Sequence, residues 1–594
     1  MRLDFLPGVV ALALLAGGSP ARAERPPVTI DLVRQGTGLL DGRRVPLRGD
    51  GGHLHVPAGS TLSIAVRLPA APRLSLAPAS ATAHGDVTVA LDLEDGTQRR
   101  LALAEATDDD GPVWSADLEE VGDLVVRVRL ENRSAADLVW RRAEIQGGGW
   151  PRAPLVSARR PADRPLNVVL YVVDTLRADH LVTYGYALPT SPKLAKLARR
   201  AAVFRRAYSP GPNTAATVPS LFTSRYPSEM SGRLATNGPG RRTLAEAFHE
   251  AGYDTAAYQA NFGLVGALGY ERGFDAYHTL KKEVDGAWRY WRASEVHESA
   301  LAWLRERGDR PFFLYVQIMD VHVPHDPHPF FAGTVHPPQP EVDMAKLEEF
   351  GDLVAKSGLD ETAAKKLRAF FEALDPRAYD EDVAYATHEF GRFMHTLGCL
   401  GRLDDTVVLL TADHGEPLGE HGAAMHGVAL YEEQIHVPLM VWAPGLSPGW
   451  REDVTGLLDV PTTLLDLADV AVPESFLGRS LARAHVMASP PQAMGERLRH
   501  RSQLPIGTYV REGAWKLITD PKGIELFHLP TDPDEVTNVT EKHEVLTDYL
   551  VTQVTARIPF HRGEGTTPTA FDEGLPAPIK RELHDALRAL GYLE

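Results

Sequence analysis

Twenty-three histidines and one cysteine stand among the 594 residues, and eight of the histidines fall into two short stretches. His322, His325, His328 and His336 lie within 15 residues, and His414, His421, His426 and His436 within 23. The first group follows the apolar run 312–318 together with Asp320, and the second follows the run 407–411 together with Asp413 and Glu416. A third apolar run, 168–173, ends in Asp174. Carboxylates and imidazoles resist burial, so their collection at the ends of apolar runs points to a site rather than to packing. Asp413 and His414 are neighbours, offering adjacent oxygen and nitrogen donors to a hard or borderline divalent cation. His325, His328 and His336 stand close to prolines and read as ordinary loop residues. Cys399 has no partner for a disulfide, a Cys-rich zinc site or an iron–sulfur cluster. Flanked by Phe393, Leu397 and Leu400, it reads as a packed, inert thiol.

The elements that must position these groups follow from the rhythm of the chain. Residues 166–490 alternate short apolar runs with helical stretches, the pattern of a mostly parallel sheet covered on both faces. In such sheets ligands bind beyond the carboxyl ends of the strands, where Asp174, Asp320, His322, Asp413 and His414 stand. Residues 24–150 instead show period-two alternation broken by turn dipeptides such as Asp95-Gly96, which predicts a β-sandwich. A Pro/Arg-rich stretch, 151–165, reads as the linker. Residues 491–594 carry short strand patterns at 508–511, 515–519 and 525–529 and a helical pattern at 579–590, a small α+β subdomain. Residues 1–23 read as a secretory signal peptide, with an early Arg2, an apolar run and Ala21-Arg22-Ala23 at its end. An exported protein, periplasmic or secreted, is expected, with no membrane span. The net charge of −17 speaks against a nucleic-acid partner.

Two segments carry a resemblance. Val172-Val173-Asp174-Thr175-Leu176-Arg177-Ala178-Asp179-His180 and Leu410-Thr411-Ala412-Asp413-His414-Gly415-Glu416 are similar to the first and last metal-binding motifs of the sulfatase family, within the alkaline phosphatase superfamily. His426-Gly427, Leu430–Glu433 and Val437-Pro438-Leu439 continue it, and Glu525–Leu529 with Asp532-Pro533 and Asn538 resembles the C-terminal subdomain of that family. The resemblance implies an alkaline-phosphatase-like fold and an ester-bond hydrolase. It also implies a nucleophile near the start of the helix after the second strand. Most sulfatases place a Cys or Ser there, within Cys/Ser-x-Pro-x-Arg, and convert it to formylglycine. Here the stretch Gly211–Thr223 has neither that Cys nor that Arg. Thr214 and Thr217 compete for the position. Thr217 has Pro219 two places on, whereas Thr214 keeps the spacing to Leu221-Phe222-Thr223 and sits in a segment similar to the nucleophile segment of phosphoethanolamine transferases. Thr214 is preferred.

A threonine cannot form the geminal diol from which formylglycine expels sulfate, but its alkoxide can attack phosphorus directly. A phosphate ester is therefore the expected substrate, with phosphonate or sulfate as alternatives, carried on a glycan or a lipid. The resemblance assigns Asp174, Thr214, Asp413 and His414 to one divalent cation, zinc or manganese ahead of calcium or magnesium. It places His322 and His426 against the transferable group or on a second ion. Arg177 and Glu416 are read as residues that orient those ligands. Asp320 and His325 are weaker candidates, an exposed loop position being an equal alternative. The rival readings are a phosphoethanolamine-type phosphotransferase and a catalytically inactive, glycan-binding relative. Oligomeric state is left open.

Overall fold

The computed structural model describes residues 27–557, with breaks at 48–53, 80–86, 156–164, 231–240, 337–375 and 499–504 and shorter ones elsewhere. The expected signal peptide and the helical pattern at 579–590 lie outside the described residues. Among those described, no helix is long and apolar enough to cross a membrane.

The centre of the molecule is an eight-stranded sheet. Its strands in chain order are Asn167–Val173 (β1), Ala202–Tyr208 (β2), Asp254–Gln259 (β3), Ala276–Thr279 (β4), Phe312–Ile318 (β5), Thr406–Ala412 (β6), His436–Trp442 (β7) and Gly449–Gly456 (β8). In space they run β4-β3-β5-β1-β6-β7-β2-β8. The neighbours from β4 to β6 are parallel, as are β2 and β8, while β7 is antiparallel to both β6 and β2. The sheet is therefore mostly parallel, as expected. Every residue of β1, β5 and β6 is buried, which is why these strands read as unbroken apolar runs.

Helices cover both faces, Pro192–Ala198 (α1) being the first of them along the chain. Tyr171 of β1 packs on His297 of Ala293–Glu306 (α4) and on Phe390 and Phe393 of Pro376–Cys399 (α5). On the opposite face Phe313 and Tyr315 of β5 meet Phe248 of Leu244–Glu250 (α3) and Phe222 of Thr214–Thr223 (α2). Cys399 corrects the sequence reading: it is exposed at the last position of α5. That helix buries a stripe through Phe390, Phe393, Met394 and Leu397. Two residues past Leu397, at 100° per residue, the chain has turned to the outer face.

Ahead of this unit, two six-stranded antiparallel sheets enclose their own core around Ile64, Leu76, Val128 and Trp140. The opening of the stretch expected as a linker forms a strand, Trp150–Arg152, paired with His485–Met487. At the C-terminal end Gln492–Leu498 (β9), Pro505–Glu512 (β10), Trp515–Asp520 (β11) and Gly523–His528 (β12) form an antiparallel sheet. Helix Glu544–Arg557 packs on it through Leu546, Tyr549, Leu550 and Val554. Strand β9 was not foreseen, yet it reaches back to the loop before α2. The Glu496 amide donates to the Pro210 carbonyl (2.8 Å), and Tyr509 OH donates to the Ser209 carbonyl. Gly495 permits this approach, because a Cβ there would lie 2.4 Å from the Pro210 oxygen and 2.5 Å from the Tyr509 ring.

Gly495→Val is thus expected to displace the loop that leads into α2. Overpacking of this kind costs about 1–3 kcal/mol, and a shift of about 1 Å in a catalytic segment lowers kcat by up to about a hundredfold. Ester-hydrolysis rate and thermal unfolding measured together test this; a variant with wild-type turnover contradicts it.

Candidate functional site

Strands β3, β5, β1 and β6 are consecutive neighbours and parallel, so their carboxyl ends form one row. Asp174 follows β1, Asp413 and His414 follow β6, and His322 lies four residues beyond β5. Thr214 enters from the side as the first residue of α2, whose N-cap, Asn213, accepts a hydrogen bond from the Ala216 amide (3.0 Å). Thr214 Oγ1 lies 2.8 Å from Asp413 Oδ2, 3.2 Å from His414 Nε2 and 3.5 Å from Asp174 Oδ2. Asp174, Asp413 and His414 can each turn one donor atom to within 4.8 Å of the others, the one such group among the described residues.

Two residues of this cluster were missed from sequence. Asn261 Nδ2 and Gln317 Nε2 each donate to Asp174 Oδ2 at 2.8 Å, and Asn261 Nδ2 is also 3.4 Å from Thr214 Oγ1. Asn261 stands just past the end of β3, so the strand-end rule applied to one more strand would have found it. Gln317 was hidden inside an apolar run, as the lone amide of β5.

The electrostatics follow from burial. Asp174 and Asp413 are inaccessible, and desolvation pushes both carboxyls up, Asp413 to about 6. Asp174 Oδ1 accepts no hydrogen bond. His414 Nδ1 donates to the Gly415 carbonyl (2.9 Å), which leaves Nε2 as the acceptor facing Thr214, and burial lowers its imidazole to about 4, keeping it neutral. The motif needs Gly415 because a Cβ there would meet the Glu433 carbonyl oxygen at 2.1 Å.

A second pair stands alongside. His426 Nδ1 and Glu416 Oε1 are 2.7 Å apart with both side chains fully buried. Burial alone would lower the His426 imidazole, but the Glu416 carboxylate outweighs it and raises the pKa; burial raises Glu416, and His426 returns it to about 2. The His426 ring is 4.5 Å from that of His414 and 5.0 Å from that of His322, centroid to centroid. His322, whose Nδ1 donates to the Val323 carbonyl, is lowered by burial to about 4. Arg177 ties the two motifs together, donating to the Glu416 carbonyl (3.1 Å) and to Glu420 Oε1 (2.8 Å).

Other candidates stand apart from this cluster. Thr217 Oγ1 is taken up by Ser209 Oγ (2.7 Å) and the Gly211 carbonyl (3.1 Å), one helical turn behind Thr214. Asp320 is buried but caps α4, accepting from the Ala293 amide (2.9 Å), and has Arg292 at 3.8 Å. His325 corrects the loop reading: its side chain is inaccessible and lies 3.4 Å from Asp382 of α5. His336 likewise meets Asp380 (2.8 Å), and His328 stacks on Tyr385 (4.6 Å). These imidazoles fasten their loop to α5, where carboxylates and an aromatic face give them partners.

The sulfatase family profile matches residues 166–470, half of the chain, and the chain belongs to the sulfatase family. It is an ester-bond hydrolase of that type. It is 25% identical over 485 residues to arylsulfatase K of Bos taurus, covering 69% of this chain and 82% of that one. Its fold is similar to the structure of BT4656 in complex with its substrate D-glucosamine-2-N,6-O-disulfate, with a TM-score of 0.53, 17% identity and coverage of 67% and 100%. It is also similar to the phosphonate monoester hydrolase of Agrobacterium radiobacter, with a TM-score of 0.50, 20% identity and coverage of 65% and 94%.

If Asp320 serves as a cap rather than in chemistry, Asp320→Asn keeps wild-type kcat. Burial raises its carboxyl from 3.8 to about 7, so its ionisation disfavours the folded state increasingly between those values and fully above them. The stability of Asp320→Asn over wild type should therefore grow as pH rises from about 4 to about 7, to a few kcal/mol at about 1.4 per unit. Thermal unfolding across that range checks the sign, and a gain largest at acid pH would refute it.

Proposed function

We propose that the protein is an exported, cation-dependent hydrolase that cleaves phosphate esters, with Thr214 as nucleophile. The observation that carries this reading is Thr214 Oγ1 at the start of α2, within 3.5 Å of Asp174, Asp413 and His414. The donor set suits a cation: two buried carboxylates with raised pKa, an Asp174 oxygen accepting no hydrogen bond, and a neutral imidazole. Asp174, Thr214, Asp413 and His414 would hold it, and mixed oxygen and nitrogen donors favour zinc or manganese. When bound, such an ion neutralises the paired carboxylates and lowers the pKa of the Thr214 hydroxyl.

The chain's own groups then divide the work. The Thr214 hydroxyl directs its proton to Asp413 Oδ2, its acceptor at 2.8 Å. The amides and dipole of the first turn of α2 favour the anionic phosphoryl oxygens. As the Thr214 Oγ1–phosphorus bond forms and the ester oxygen departs, His426, whose proton affinity the neighbouring Glu416 carboxylate raises, gives that oxygen a proton. Water then attacks the phosphorus of phosphothreonine and gives a proton back to His426, and as the phosphorus–Oγ1 bond breaks Asp413 returns its proton to Thr214, releasing phosphate. His322 stands beside His426, and with Nδ1 donating to the Val323 carbonyl its neutral ring offers Nε2 as an acceptor, which suits the attacking water or a second ion rather than the phosphoryl oxygens.

A sulfate ester is the second reading, favoured by the arylsulfatase relative and by a neighbour whose substrate is a sulfated glucosamine. The chemistry of the nucleophile favours phosphate, because threonine has no route to the geminal diol. The choice is made by assaying zinc- or manganese-loaded protein with p-nitrophenyl phosphate, its bis-ester, a phosphonate ester and p-nitrophenyl sulfate. A phosphate ester should lead sulfate by at least about tenfold in kcat/KM; the reverse order overturns the assignment. Thr214→Ala should lose more than about a hundredfold and Thr217→Ala far less, while Asp413→Ala should abolish retained metal measured by elemental analysis.

The Glu416–His426 pair makes a separate prediction. Glu416→Gln removes the charge that raises the proton affinity of His426, so hydrolysis of alkyl phosphates, which have poor leaving groups, should fall by about 10²–10⁴. The p-nitrophenyl ester, whose leaving group needs no proton, should fall much less. Equal losses would remove His426 from the role of acid.

A further inference from the structure

We propose that Tyr379 is a positioning residue that fixes the turn aiming Asp174 into the site. The inference concerns the backbone around Asp174 and rests on the cation reading above only where cation affinity is the measurement.

The turn is conformationally costly. Strand β1 ends at Val173, and Thr175 immediately after Asp174 has φ +58°, a left-handed conformation that a β-branched residue rarely adopts. Its own side chain does nothing to hold it, for Thr175 Oγ1 is buried without a hydrogen bond. Such a conformation persists only where the surroundings over-determine it. Asp174 is anchored from β5, its amide donating to the Ile318 carbonyl (2.9 Å), and the Thr175 amide reaches Asp413 Oδ1 (3.3 Å). The two peptide groups that follow are held by a single side chain. Tyr379 OH donates to the Thr175 carbonyl and accepts from the Arg177 amide, both at 2.9 Å.

Tyr379 is equipped for this. It is fully buried in the first turn of α5, with its ring edge-to-face against those of His180 (5.0 Å) and His325 (5.4 Å). The next residue, Asp380, secures the far end of the same segment by accepting from His180 Nδ1 and Tyr186 OH, both at 2.8 Å. The start of α5 thereby grips residues 175–186 at two points. Tyr379 touches none of Thr214, Asp174, Asp413 or His414 directly, and its effect on them runs through the backbone of residues 175–177.

The test compares full-length Tyr379→Phe with Tyr385→Phe, which loses a hydroxyl contact to Ser294 from the same helix and serves as the structural control. Zinc affinity of metal-stripped protein is measured by competition with a chromogenic chelator, alongside kcat, KM and thermal unfolding. Tyr379→Phe is expected to weaken zinc binding by about ten- to a hundredfold and to lower kcat by at least about tenfold with KM nearly unchanged, whereas Tyr385→Phe changes neither. Thr175→Gly added to Tyr379→Phe should recover most of both, since glycine adopts the left-handed turn without strain. If Tyr379→Phe matches Tyr385→Phe in affinity and kcat, or if Thr175→Gly brings no recovery, the positioning role is wrong. A wild-type protein that binds no zinc, manganese, calcium or magnesium would instead refute the cation reading, and the kcat comparison with its glycine rescue would then decide Tyr379 alone.

Discussion

Two carboxylates, Asp174 and Asp413, are buried side by side at the centre of this protein, and much of its architecture serves to keep them there. Removing an ionised carboxylate from water costs several kcal/mol even after relaxation, and a second of like sign adds to it. The surroundings offset part of that cost with neutral donors: Asn261 and Gln317 on Asp174, and the amides of Thr175 and His414 together with Thr214 on Asp413. None of these brings a full positive charge. The remaining penalty appears as raised carboxyl pKa values, a cost that the cation proposed above would offset.

Keeping such a cluster in place requires rigidity from several directions. The parallel strands deliver the carboxylates at one edge, and their full burial removes freedom to relax. Helix α5 holds the segment after β1, while the C-terminal sheet holds the loop before α2 through Glu496 and Tyr509. Thr214 is thereby positioned by a part of the chain nearly 300 residues away. The C-terminal sheet is as much a part of the site's support as the central one, which a view of it as an appended subdomain would overlook.

What was legible in the sequence follows from this division. Strand ends could be read because fully buried strands lose their alternation, and Asp174, His322, Asp413 and His414 stood out as polar residues directly beyond them. Which way each points could not be read. Asp320 and His322 are two residues apart in one loop, yet the first turns back to cap α4 and the second lies against His426. Tyr379 and the loop histidines were illegible for a different reason. Their partners are brought together by the packing of α5, a long-range contact with no local pattern, and proline-flanked histidines look the same whether they face solvent or Asp382.

The choice of threonine is where these constraints meet the chemistry. Near the start of a helix, three residues separate a side chain that faces the row of strand ends from one that closes the preceding loop, as Thr214 and Thr217 do. The remaining hydroxyls of this segment are engaged elsewhere: Ser209 with Gly211 and Thr217, Ser220 with the Ala216 carbonyl, and Thr223 with the Pro219 carbonyl. The lone cysteine lies at the end of α5. On the reading proposed above the nucleophile is the unmodified Thr214, and the same carboxylates that make the cluster costly to bury give its hydroxyl an acceptor for the proton. Phosphorus, which such an alkoxide attacks directly and from which water later frees it, suits that arrangement better than sulfate release through a diol.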